Sequence, residues 1–172
     1  METHERQEIL ATLGNGRKAL LDALKGVPED LAARIPAAGK WSILECVEHL
    51  AIAEDYLFST IEEATSADAP ARNDKREAAI MARGLDRTTP VESPQEGRPT
   101  GRFSTLAEAL QHFVASRDRT IEFVKHYHLD PRSQMTQHPI IGTVNCYEVL
   151  LMMVVHPHRH SQQIREIRAA LR

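Results

Sequence analysis

Apolar residues recur at intervals of three and four along most of the 172-residue chain, and the alternation expected of half-buried strands is nearly absent. That pattern predicts helices packed on helices, with no strand. The first helix is expected over about residues 4–25, with Ile9, Leu10, Leu13, Leu20, Leu21 and Leu24 on its buried side. Gly14 and Gly16 each weaken it by about 1 kcal/mol relative to alanine. A connection, "GVPEDLAARIPAAGK", then carries a short helical turn.

The second helix has the clearest start. Ser42 and Glu45 form a capping box and Trp41 can staple over Cys46, so the helix should run from there to about Thr65. Residues 66–103 hold a short helix opened by Asp74 and Glu77 and closed by Gly84, followed by the proline- and glycine-rich "DRTTPVESPQEGRPTGR". So long a connection can cross a bundle or cover a site. A third long helix begins at Thr105, boxed with Glu108, and buries Leu106, Leu110, Phe113, Val114, Ile121 and Val124 while His112 turns toward solvent. After the turn "HPIIGT", a fourth opens at Asn145, with Glu148 three residues on, and reaches nearly to the C-terminus. The fold class is therefore all-α, a four-helix bundle forming a single domain over residues 1–172.

The stretch "VVHPHRHSQQI" places three histidines within five positions. At 100° per residue His156 and His160 share the side of Val149, Met153, Ile164 and Ile167, whereas His158 faces away. Imidazoles at i and i+4 reach one ion from successive turns. Taken alone, such a pair is more often a polar helix end or a hydrogen-bonded core pair. The second helix adds His49, which shares a side with Cys46, Ala53 and Tyr56, away from a stripe of Glu48, Asp55 and Glu62 expected to meet water. A lone inward histidine is usually a satisfied core residue, but three together make a ligand set that leaves positions open for water or substrate. Pro157 stands against this picture, because it frees the carbonyl of Met153 and tends to kink the helix within the pair.

The segments "KWSILECVEHLAIAE", "STLAEALQHFVASRDRTIEFV" and "YEVLLMMVVHPHRHSQQI" together resemble the DinB-like (DinB/YfiT) superfamily of four-helix metalloenzymes over about residues 5–171. The resemblance implies an up-down-down-up bundle whose second and third helices are joined by a long crossover containing the short extra helix. It also implies a histidine triad at His49, His156 and His160, and a divalent transition metal. Zinc or nickel comes foremost, with iron, manganese or cobalt as further fits. Some relatives are thiol-dependent transferases or isomerases that use low-molecular-weight thiols.

The functional expectation is a divalent-metal-dependent enzyme, either a thiol-dependent transferase or a metal-assisted hydrolase, acting on a small molecule or with a low-molecular-weight thiol as partner. The alternatives are a non-catalytic bundle, metal-stabilised or binding a small molecule, and a scaffold without metal. Gln163, Tyr56 and Cys46 are candidates for the surroundings of the triad, although a buried cysteine and a core tyrosine are the plainer readings of the last two. No catalytic residue is assigned, since Glu45 and Glu148 are explained by capping. A net charge of −3 offers no basic face for nucleic acid. Two distant cysteines without a CxxC, no signal-like start and no long apolar run point to a cytoplasmic protein off the membrane, to which the family resemblance adds a bacterial origin, with a homodimer as a further expectation.

Overall fold

The computed structural model describes residues 1–68, 72–89 and 92–171. Its helices are α1 (Thr3–Leu24), α2 (Glu29–Ala32), α3 (Ile43–Glu62), α4 (Asp74–Leu85), α5 (Leu106–His126) and α6 (Cys146–Ala170). The four long ones, α1, α3, α5 and α6, make a four-helix bundle in which α1 packs on α5 and α6, and α3 packs on the same two. Helix α4, from the crossover, lies against α6.

The capping boxes read from the sequence are present. Ser42, Thr105 and Asn145 each accept the amide of a glutamate three residues on, and that glutamate's carboxylate accepts the cap amide in return. Helix α4 is capped instead by Asn73, whose side chain accepts from the amide of Arg76. Gly84 does not close that helix. It lies inside it, where a Cβ would run into Val155 of α6, so the glycine permits close approach of the two helices. Gly16 plays a similar part in α1, buried against Val154 and Pro157.

Two apolar clusters fill the bundle. One gathers Leu13, Phe58, Val124, Leu150 and Met153, and the other Leu20, Ile43, Val47, Phe113 and Ile164. Each such side chain, fully buried, contributes about 1.5–3 kcal/mol. Leu21, expected inside, is 42% exposed. On α5, between Phe113 of one cluster and Val124 of the other, the fully buried Arg117 donates to Glu54 Oε2 at 2.7 Å, and Thr120 donates to Glu54 Oε1 at 2.8 Å.

The expectation of no strand is corrected. Strands β1 (Thr65–Ser66), β2 (Gln134–His138) and β3 (Gly142–Asn145) form a small antiparallel sheet in that order, with Thr65 opposite Met135 and Met135 opposite Asn145. Helix α3 accordingly stops at Glu62 and not at Thr65, because Thr65 and Ser66 pair with β2. The turn between β2 and β3 is the "HPIIGT" turn, with Gly142 at φ 73°. Helix ends meet at two more places. Arg168 near the end of α6 donates to the carbonyl of Ala23 near the end of α1, and Glu29 of α2 accepts the amides of Leu106 and Ala107 at the start of α5.

Two polar positions also differ from expectation. Glu48 is 1% exposed and accepts the amides of Thr100 and Arg102, because the crossover covers that face of α3. His112 is half-buried, its Nε2 bonded to Asp55 at 2.6 Å. Pro90 of the crossover lies outside the described residues.

Candidate metal centre

His49 of α3 and His156 and His160 of α6 meet at one point. His156 Nε2 lies 2.9 Å from His49 Nε2 and 3.0 Å from His160 Nε2. Pro157 does not disturb the pair, because α6 runs unbroken from Cys146 to Ala170. The carbonyl of Met153, which proline deprives of its helical donor, accepts from Arg117 Nη2 at 2.9 Å. The buried arginine thus replaces the missing hydrogen bond, and the helix carries the proline without breaking.

The outer nitrogens determine what the inner ones can do. His49 Nδ1 contacts the carbonyl of Gly97 and must donate its proton there. His160 Nδ1 donates to Gln163 Oε1 at 2.9 Å. Both rings therefore turn a bare Nε2 lone pair toward His156. A proton on His156 Nε2 can serve only one of them, so three imidazoles cannot satisfy one another. A cation at their meeting point can satisfy all three. Ligand nitrogens around an ion held at about 2.0–2.1 Å lie roughly 2.9–3.4 Å apart, which the separations to His156 match.

Electrostatics favour the same state. Burial depresses the pKa of all three histidines, and neighbouring imidazoles push His156 and His160 further, well below the ordinary range. The neutral form, the one that ligates, is the form the fold selects. Trp41 packs over the group, its ring centre 4.9 Å from that of His49 and 6.3 Å from that of His160.

The triad borders a cavity of about 740 Å³ formed by α3, α4, α6, the crossover and the β2–β3 turn. Such a donor set, open on one side, can hold a divalent ion and present it to a small molecule. The chain matches the DinB superfamily over residues 12–164. It belongs to the DinB superfamily. Two solved structures share this DinB fold. YfiT from Bacillus subtilis, described as "a probable metal-dependent hydrolase with an unusual four-helix bundle topology", superposes with a TM-score of 0.63 at 13% identity, covering 98% of this chain and 89% of that one. TT2238, described as "a four-helix bundle protein", gives 0.59 at 20% identity, covering 94% of this chain and 98% of the other. A search of curated proteins gave no match to this DinB chain.

The remaining candidates divide. Gln163 borders the cavity and orients His160, and Tyr56 lines the wall, its phenol pKa raised by burial. Cys46 is fully buried away from the lining, and burial pushes its thiol to about 12. It should resist alkylation by iodoacetamide at pH 8 in the folded protein and react in urea. Rapid labelling of the native chain at Cys46 would contradict this. His158 is half-buried, with no place in the triad or the lining. Sequence reading missed Gly97, which carries no signal inside a proline-rich crossover. Trp41 reads from the sequence as a staple only, although a tryptophan just ahead of the helix cap, on the chain leading to an inward histidine, could have suggested a cover.

Proposed function

We propose that this DinB-superfamily chain is a divalent-metal-dependent enzyme that makes water or a low-molecular-weight thiol nucleophilic, and so acts as a hydrolase or a thiol-dependent transferase on a small molecule. The observation that carries this reading is the convergence of three buried Nε2 atoms, two with their Nδ1 protons committed elsewhere, beside an open cavity. The description of YfiT as a probable metal-dependent hydrolase supports it, as the same fold accompanies that activity assignment.

His49, His156 and His160 would hold the ion, with zinc or nickel foremost on ligand chemistry. When bound, such an ion supplies Lewis acidity that makes water or a thiol reactive near neutral pH. The chain's own residues do the rest. Gly97 and Gln163 fix the tautomer and aim of His49 and His160, Trp41 shields their rings from solvent, and the apolar wall of Leu57, Ile80 and Met152 excludes water beside the reacting end. Neutral imidazoles leave the ion its full charge, which strengthens that activation.

The same reading takes residues 1–172 as one domain with up-down-down-up helices. The contacts of Arg168 with Ala23, of β1 with β2, and of Glu29 with Leu106 support that order.

The test is a panel of activated esters, amides and thiol-reactive electrophiles, the latter with several low-molecular-weight thiols, assayed with metal-loaded protein and with His160→Ala. Turnover in the first and a loss of about 100-fold or more in the second is the expected result. Equal rates in both proteins across the panel would remove the enzyme reading and leave a metal-stabilised bundle.

A further inference from the structure

The cavity carries charge that the three histidines do not explain. Lys40, Arg83, Arg87, Arg98 and Arg159 line it, against a single carboxylate, Glu92, among the described lining residues. Glu92 is already paired with Arg98 at 2.6 Å. Arg87 Nη2 pairs with Glu166 at 2.7 Å, but its Nε is buried with no hydrogen-bond partner among the described residues. Arg159, only 8% exposed, donates to the carbonyls of Asp86 and Thr89 and makes no ion pair among the described residues, while the carboxylates of Asp86 and Glu166 only partly offset the neighbouring Arg87 and Arg83. Arg83 and Lys40 are exposed and have no carboxylate partner among the described residues.

This grouping follows from the packing. Arg159 sits between the two α6 ligands in sequence, and Gly84 lets α4 approach Val155 closely, which brings Arg83 to the same cavity. Like charges sharing a cleft with low-dielectric walls repel one another, and an anion entering from solvent relieves that repulsion most directly. The wall beside them is apolar, formed by Leu57, Ile80, Ile140, Ile141, Met152 and Val155.

We infer that the site takes small organic anions, with an apolar body against this wall and a carboxylate or phosphate met by Lys40, Arg83, Arg87 and Arg159. The inference rests on the proposed enzyme reading only for which end of the molecule reacts. Binding is measurable without turnover.

Titration calorimetry of the full chain as isolated, with phenylbutyrate, phenylbutyl phosphate and the neutral phenylbutyramide, tests it. At least one anion should bind about tenfold or more tightly than the amide, with the preference shrinking as salt is raised. The tighter of the two anions identifies the headgroup. In the Lys40→Gln/Arg83→Gln double variant, both exposed positions, the preference should fall to about twofold or less. In His156→Ala it should persist although a ligand to the ion is gone. Equal binding of amide and anions, no detectable binding of either anion at millimolar concentration, or full preference in the double variant would each overturn the inference. Loss of the preference in His156→Ala would overturn it too, by showing that the anion merely ligates the metal. Failure of the turnover panel with anion preference intact would reject the enzyme reading alone.

Discussion

Replacing His156 by alanine is expected to strip the purified protein of nearly all bound divalent metal. His156 Nε2 is the atom from which the Nε2 atoms of His49 and His160 are both reached, at 2.9 and 3.0 Å. Loss of a partner that merely orients a ligand costs about 10- to 100-fold in affinity, and loss of the ligand itself should exceed that. Elemental analysis after gel filtration reads the result directly, with His158→Ala as the control that keeps its metal. A His156→Ala protein with undiminished metal would end the assignment. The pH dependence has a definite sign. Because burial holds the folded histidines below their ordinary values, they stay neutral as pH falls past about 6.5, where an exposed histidine protonates. The unfolded chain takes up protons there and the folded chain does not. The metal-free protein should therefore have its full histidine-linked stability above about pH 6.5 and lose it as pH falls through the depressed folded values.

Arg117→Leu should be the most destabilising single substitution outside the triad. It removes the cation facing Glu54, whose carboxyl is raised by burial and lowered in opposition by Arg117, and it leaves the Met153 carbonyl without its donor. Breaking a buried pair from one side costs about 3–5 kcal/mol. For a chain of this length that lowers Tm by roughly 6–20 °C, measurable by calorimetry. Glu54→Leu/Arg117→Leu should recover part of the loss, because no uncompensated charge then remains. An Arg117→Leu protein that melts with the wild type would show that the Met153 carbonyl and the Glu54 charge are satisfied by other means.

How much was legible in advance depended on where the cause lay. Ser42, Thr105 and Asn145 announced their helices because a cap and its glutamate lie three residues apart in the chain. His156 and His160 were readable for the same reason, since one helical phase determines both. Glu48 was misjudged because its burial comes from Thr100 and Arg102, more than fifty residues away, whose amides no helical projection contains. The strands escaped notice because they are two to five residues long and polar, held by backbone pairing more than by an apolar face. Gly84 looked like a helix stop, and only the proximity of Val155 shows why it is small. The cationic lining is assembled from four separate stretches, so none of them looks basic alone.

The contact between Gly97 and His49 joins two equilibria. The carbonyl that takes the proton of His49 belongs to the crossover, and Glu48, one residue earlier on α3, grips the same crossover through two amides. Opening of that segment would release His49 to either tautomer and lower its worth as a ligand. By thermodynamic reciprocity, whatever factor the closed crossover adds to the affinity for an ion, the ion returns to the population of the closed crossover. A substrate that orders the crossover would therefore tighten the hold on the metal without touching it, and depletion of metal would be felt first as loosening of the loop.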